Sequence, residues 1–268
     1  QETVELFPHT IDSGLGTEAS PYINADSTAG IKTKIAVLKA GRGGAIKLSA
    51  NRFNVDSVIK ITSSGIRIQS VVAGYNADSN AVKQGINGTT LICKKGGFSI
   101  SGIGYPIGRT GGVMLSSIYL YGTKALQSIG SSSGTVGVQL NSYIDQASLW
   151  NVNMGGFDYG IKSVNTSGGW VDFGYFDQVE VQGGRIGAYY DNAGAGNFGQ
   201  HFIKCAFAET KEHNFYVTAS STNENFVFTG TAFYRGSWGA GVTNPSNVYF
   251  AGTRSRFDGC EFVAAGYN

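Results

Sequence analysis

Short alternating runs of apolar and polar residues cover most of this chain, and one six-residue pattern recurs in its second half. The pattern is an apolar residue, two variable residues, a small or apolar residue, a variable residue and an apolar residue. Its copies span residues 144–149, 176–181, 202–207, 228–233 and 257–262, with starts 32, 26, 26 and 29 positions apart. Self-similarity at such a period is typical of repeat proteins, in which each unit buries its apolar face only against its neighbours.

A second, four-residue pattern lies between these copies. It spans residues 137–140, 160–163, 187–190, 214–217 and 247–250. Both patterns alternate with a period of two, are rich in β-branched and aromatic residues, and are bounded by Gly, Asn and Ser, which indicates strands. Helical repeats are disfavoured because this region has no helical stretch, and a propeller blade needs about 40–50 residues. The sequence therefore predicts an all-β fold, a parallel β-helix.

The first 40 residues depart from the strand pattern. Residues 1–25 are polar and rich in Gly and Ser, which predicts an arm or linker. Ile31, Ile35 and Leu38 then fall at helical spacing before Gly41, which predicts one short helix over 26–40. A helix there would cover the open edge of the first coil.

We accordingly divide the chain into an arm over 1–25 and one β-helix domain over 26–268, with coils over 43–268. The sequence has neither an initiator Met nor a signal-like start, and no capping pattern follows the last repeat copy. These features predict a processed product or a fragment of a longer chain. They also predict that further sequence or a partner subunit covers the last coil.

Composition supports a chain of short strands and tight turns and narrows the function classes. The 268 residues include 40 Gly, with 41% apolar and only 14% charged residues. The net charge is +2 without a basic block, so the electrostatic footprint of a nucleic-acid-binding protein is missing. No apolar run approaches the ~20 residues of a membrane span. Cys93, Cys205 and Cys260 have no metal-site spacing and are interpreted as core residues, and we expect no cofactor.

The first coils carry a more specific signal. In order, they read Asp26-Ser-Thr-Ala-Gly-Ile31, Leu38-Lys-Ala-Gly-Arg-Gly-Gly-Ala-Ile-Lys-Leu48, Arg52-Phe-Asn-Val55, Ile59-Lys-Ile61 and Gly65-Ile-Arg-Ile-Gln69. This order resembles the first segment of pectate-lyase-like right-handed β-helix proteins, among them bacteriophage tailspike and preneck appendage proteins. The resemblance implies a homotrimer on the virion tail, outside the host cell. It also implies recognition, and in many members cleavage, of a bacterial surface polysaccharide along the outer face of the helix.

Outward residues of the repeat supply the candidate chemistry. Stacking the copies places equivalent residues in columns, and neighbouring residues of one column lie about 4.8 Å apart. The candidate catalytic carboxylates are Asp145, Asp177, Glu180 and Glu209. The candidate glycan-contacting residues are Trp150, Gln182, Tyr234, Arg235 and Trp238. Aromatic faces stack on sugars, whereas amides and charged groups bond to hydroxyls.

Glycoside hydrolysis needs two carboxyl groups, about 5–5.5 Å apart for retention and about 6.5–9.5 Å apart for inversion. The predicted columns assign Asp145 with Asp177 to the shorter separation and Glu180 with Glu209 to the longer one. A structural interpretation competes with each of these catalytic assignments. The aspartates recur at a position where turns use Asp, and Glu209 with Arg235 fits a surface ion pair. Trp170 and Phe173 are interpreted as core or turn packing.

Three functions follow from these patterns. The first is a phage tail or appendage protein that recognises, and in its catalytic version hydrolyses, a bacterial surface polysaccharide. The second is a non-catalytic glycan-binding or structural virion module with the same fold. The third is a secreted bacterial polysaccharide lyase or hydrolase.

Overall fold

The computed structural model describes residues 2–6, 31–32, 35–36, 43–48, 52–70, 89–102, 108–122, 134–165, 169–192, 196–218, 223–236 and 246–263. Within these ranges the chain forms twenty-five β-strands. They are β1 (Glu2–Leu6), β2 (Gly44–Leu48), β3 (Arg52–Val55), β4 (Ile59–Ile61), β5 (Ile66–Ser70), β6 (Thr89–Cys93), β7 (Phe98–Ile100), β8 (Thr110–Gly122), β9 (Val136–Asn141), β10 (Ile144–Gly155), β11 (Tyr159–Asn165), β12 (Val171–Asp172), β13 (Tyr175–Asp177), β14 (Glu180–Gln182), β15 (Ile186–Asn192), β16 (Asn197–Phe198), β17 (His201–Ile203), β18 (Ala206–Ala208), β19 (His213–Val217), β20 (Asn223–Glu224), β21 (Val227–Thr229), β22 (Ala232–Tyr234), β23 (Val248–Phe250), β24 (Arg256–Asp258) and β25 (Glu261–Val263).

Each coil contributes to two parallel sheets. The smaller sheet has the order β23-β19-β15-β11-β9-β7-β4, and the other 18 strands form the larger sheet. One coil runs through β10 and then β11, and the next runs through β12, β13 and β14 and then β15. Successive coils pair in parallel throughout, as between β11 and β15. The predicted parallel β-helix is therefore confirmed.

Single residues with a left-handed backbone bend the larger sheet at matching places in successive coils. One such column contains Asn151, Gln178, Lys204 and Gly230, with φ between 50° and 60°. The amide of Gln178 donates to the carbonyl of Ile203 in the next coil, and Lys204 and Gly230 repeat the bond. Because these bends stay hydrogen-bonded between coils, the outer face is divided into straight, aligned columns of side chains.

Gly230→Ala should lower stability by about 1–2 kcal/mol, because a left-handed backbone is unfavourable for alanine. The φ of Gly230 is 57°, and an added Cβ would meet only the Cγ of Lys204, at 3.9 Å. Gly230→Asn is the matched control, since asparagine tolerates this conformation. Urea unfolding midpoints should rank alanine below asparagine; equal midpoints would show that the bend is not strained.

The first repeat copy is out of register with the sequence prediction. Leu149, not Ile144, pairs with Phe176, and Ile144 pairs with Val171. The long strand β10 fits the apolar pattern twice, starting at Ile144 or five residues later at Leu149. The sequence pattern alone therefore allows either start, whereas strand pairing selects Leu149 rather than the predicted Ile144. The remaining copies and the four-residue pattern pair as predicted.

The core is a ladder of stacked aromatic rings. The rings of Phe176, Phe202, Phe228 and Phe257 follow one another with centroids 4.5, 5.0 and 4.5 Å apart. Near-parallel rings in register bury large apolar areas at each coil boundary. The predicted inward phenylalanine ladder is confirmed.

The three cysteines are free, and Cys93 and Cys205 are buried. The Sγ of Cys205 donates to the carbonyl of Phe176 at 3.3 Å, and the hydroxyl of Thr231, in the next coil, donates to Phe202 at 3.1 Å. Cys260 takes the same place one coil further on. Cys205 is a buried core residue, as predicted, whereas Cys260 is only partly buried; the bonds to the preceding coil are a finding of the structure.

The N-terminal predictions fall mainly outside the described residues. Of the segment 1–25, strand β1 is described and pairs in parallel with β2. Most of the helix predicted over 26–40 lies outside the described residues, and the helix is not shown; Ile31 and Ile35 within it are buried. The division into arm and domain stays a prediction. Among the described residues, no helix is long and apolar enough to span a membrane.

Candidate functional site

The predicted pairing of Asp145 with Asp177 is wrong. Asp145 pairs with Asp172 in the next coil, whereas Asp177 lies beside Trp150 and Ile203. The cause is the five-residue slip in the first repeat copy. Asp172 is thus a carboxylate that sequence reasoning missed, and it lies in the same column as Asp145, one coil further on.

Glu180 and Glu209 lie in different columns, and their predicted separation stays a prediction. Glu180 lies in a strand column between Asn153 and Ala206. Burial raises its pKa. Glu209 lies at a bend, where it accepts a 3.2 Å hydrogen bond from Gln182 and lies 3.9 Å from the guanidinium of Arg235. The ion-pair interpretation of Glu209 is therefore confirmed.

Asp145 and Asp172 occupy different electrostatic environments although they are neighbours. The Nη1 atom of Arg109 lies 3.5 Å from an oxygen of Asp145. Burial, followed by the charge of Asp145, raises the pKa of Asp172 to about 6, although Arg109 opposes the rise. Near pH 6 this site therefore holds one ion-paired carboxylate beside one carboxyl group that is partly protonated.

Trp170 holds Arg109 in place next to these carboxyl groups. The Arg109 guanidinium lies 4.6 Å from the centroid of the Trp170 ring, and the Tyr143 ring meets the Trp170 ring edge-on at 5.9 Å. The backbone amide of Ile144 donates to the carbonyl of Trp170 and fixes this corner between the coils. Trp170 therefore positions the cation, a role that sequence alone did not indicate.

A groove follows the outer face of the larger sheet beside this pair. It has a volume of about 460 Å³. One wall is the strand column Arg67, Met114, Ser148, Tyr175 and His201, in which each residue pairs with the next. The other wall is the bend column Gly112, Gln146, Phe173 and Gly199. At about 4.8 Å per coil, these five coils span about 19 Å.

Aromatic rings line the groove. Phe173 is 49% exposed and Tyr175 is 43% exposed. Phe173 stands at a bend of the backbone. The Phe198 ring supports it there, edge-on, with the ring centroids 5.8 Å apart. Of the two interpretations of Phe173 from sequence, the turn is correct and the core is not. Exposed aromatic faces of this kind suit the C–H faces of sugars.

The predicted glycan-contacting residues do not share one site. Trp150 points outward, as predicted, and is 43% exposed; it shares a column with Asp177, two residues along the strand from the groove residue Ser148. Gln182 and Tyr234 share a different column, at the far end of the sheet, with Arg235 at the adjoining bend. Trp238 lies outside the described residues. Among the described residues, no group of three or more His, Cys, Asp or Glu could hold a metal ion.

Two solved structures of phage proteins share this fold. The chain superposes on ORF18 of Geobacillus virus E2 with a TM-score of 0.58 and 16% identity, covering 96% of this chain and 48% of that one. It also superposes on the tailspike gp49 of Acinetobacter baumannii bacteriophage Fri1, a capsular polysaccharide depolymerase, with a TM-score of 0.59 and 15% identity, covering 97% and 46%. No protein-family model and no curated protein matches the chain. This chain spans about half the length of these two structures and shares their fold.

Proposed function

We propose that this chain is the β-helix of a bacteriophage tail or appendage protein that binds and hydrolyses a bacterial surface polysaccharide. The observation that carries the proposal is the pairing of Asp145 with Asp172 beside an aromatic-lined groove. Two neighbouring carboxyl groups whose environments separate their protonation states are what glycoside hydrolysis requires. The shared fold with a tailspike depolymerase supports the same function.

In this mechanism Asp172 is the general acid and Asp145 the nucleophile. The proton of Asp172 passes to the glycosidic oxygen as that bond breaks, and a carboxylate oxygen of Asp145 bonds to the anomeric carbon. Water then cleaves this ester and gives up a proton to Asp172, which restores both groups. Neighbouring strands lie about 4.8 Å apart, which is closer to the retaining separation than to the inverting one.

The proposal includes a homotrimer on the virion tail, as the sequence resemblance implies. A β-helix that binds a polymer along one outer face leaves its other faces available for subunit contacts. Light scattering at micromolar concentration tests this part, and a stable monomer would contradict it.

A second candidate function is glycan recognition without cleavage. It is favoured by the ion pairs on the outer face, where Glu224 pairs with Arg254 at 3.2 Å and Asp258 with Arg256 at 2.7 Å. Both pairs lie outside the lining of the groove, so these carboxylates have a structural role on the outer face. A secreted bacterial lyase or hydrolase is the third candidate.

The deciding experiment incubates the protein with purified capsular and O-antigen polysaccharides and follows reducing ends and unsaturated products. We expect new reducing ends without unsaturation. Unsaturated products would establish a lyase instead. Binding without cleavage of any bound glycan would leave a recognition module, and absence of binding to the whole panel would contradict a glycan function.

A further inference from the structure

Arg67 differs from the other arginines whose side chains the structure describes. Each of the others lies within 4 Å of a carboxylate: Arg109 at 3.5 Å, Arg185 at 3.2 Å, Arg235 at 3.9 Å, Arg254 at 3.2 Å and Arg256 at 2.7 Å. Arg67 is exposed and has neither an ion pair nor a hydrogen bond with any described residue. Among the described residues, this guanidinium, which is always charged and carries five donors, has no acceptor.

The Arg67 side chain lies where a ligand in the groove would contact it. Arg67 lies at one end of the groove that also contains Phe173, Tyr175 and His201. None of the described residues that line the groove is Asp or Glu. At the Arg67 end an anion meets this cation, whereas Asp145 and Asp172 lie outside the groove lining, two and three coils away, so electrostatic complementarity at this end favours an acidic ligand.

We propose that Arg67 binds the carboxylate of an acidic sugar in the polysaccharide; this inference rests on the proposed function. The planar fork of a guanidinium matches the two oxygens of a carboxylate and binds them in a bidentate manner. The aromatic rings further along the groove then hold the neighbouring sugar units by their C–H faces. The substrate class is therefore an acidic polysaccharide.

Arg67 acts on binding rather than on the chemical step. Its column runs through Met114 to Ser148, which lies in the same strand as Asp145. Arg67 is therefore two coils, or about 10 Å along the axis, from Asp145 and three coils, or about 14 Å, from Asp172. A residue at that distance contacts a sugar away from the bond that breaks. Its loss should raise KM and leave kcat largely unchanged.

The test compares Arg67→Gln with the unsubstituted chain on each polysaccharide that the panel shows to bind. Each glycan is used as isolated and after chemical reduction of its carboxyl groups to alcohols. We expect the bound glycans to contain acidic sugars, and either the substitution or the reduction to lower affinity at least tenfold. Combining Arg67→Gln with carboxyl reduction should lower affinity little more than either change alone, because the two changes remove the two halves of one interaction.

Arg254→Gln is the matched control, because Arg254 is exposed and paired with Glu224. It should bind native glycans normally, and unchanged urea midpoints would show that both variants fold. Tight binding of neutral glycans, or binding unaffected by Arg67→Gln, would overturn this inference and leave the proposed function intact. Loss on Arg67→Gln but not on carboxyl reduction would assign another anion and also overturn it. Absence of binding to every glycan would contradict both.

Discussion

Asp172→Asn is expected to lower the rate of polysaccharide hydrolysis by about 10²–10⁴-fold at pH 6, the range that a general acid contributes. Asparagine keeps the size of the side chain and cannot deliver the proton that the leaving oxygen needs. It also removes a carboxyl group that lies beside Asp145, so the fold should not suffer. Initial rates of reducing-end release, with bound glycan measured separately, check the prediction.

Asp258→Asn provides the matched control. Asp258 is on the same outer face and is paired with Arg256 in the last described coil, away from the carboxyl pair. It should retain the full rate. If Asp172→Asn stays within threefold of the unsubstituted chain while Glu180→Gln loses activity, the acid belongs to the Glu180 column and our assignment is wrong.

The raised pKa of Asp172 also predicts that both the hydrolysis rate and the contribution of Asp172 to stability fall as pH rises. The general acid must be protonated, so the rate should fall as pH rises through about 6. In the folded chain Asp172 holds its proton more tightly than in the unfolded chain, where its pKa is near 3.8. Its contribution to stability is therefore complete below about pH 4 and is lost as pH rises through about 6. Asp172→Asn should remove both of these pH dependences, which rate profiles and urea midpoints between pH 4 and 7 would reveal.

The sequence predicted the β-helix because the fold repeats the same physical requirement in every coil. Phe202 and Phe228 must each cover the ring before them, and this requirement recurs at a fixed interval that a single sequence displays. Residues in the regular coils, such as Gln182 and Tyr234, accordingly fell into the predicted columns.

The carboxyl pair was missed for the opposite reason. β10 is a long strand in which the apolar pattern matches twice, and only pairing with its neighbours decides between Ile144 and Leu149. Arg109 reaches Asp145 from the preceding coil, Trp170 reaches Arg109 from the following coil, and no local pattern marks such contacts. The bend at Gln146 leaves Ile144 and Leu149 both buried although five residues separate them, so the burial pattern does not distinguish the two matches either.

Arg185→Met is expected to lower the free energy of unfolding by about 3–5 kcal/mol, the usual effect of breaking a buried ion pair. Arg185 is 1% exposed, with Nη1 3.2 Å from Glu212 and Nε 3.9 Å from Asp158. Its guanidinium also lies 4.5 Å from the centroid of the Tyr159 ring. Methionine fills much of the same space but leaves two buried carboxylates without their cation. Urea unfolding followed by circular dichroism measures the loss.

Two companion variants separate charge from packing in this cluster. Arg254→Met removes an arginine from an exposed pair and should change stability by no more than about 1 kcal/mol. Adding Glu212→Gln to Arg185→Met neutralises one of the stranded carboxylates and should recover part of the loss, since the penalty comes from uncompensated buried charge. Equal losses in the single and double variants would instead assign the effect of Arg185 to packing against Tyr159. Recovery would show that alternating charges in successive coils, Asp158, Arg185 and Glu212, stabilise the corner where the two sheets of the β-helix meet.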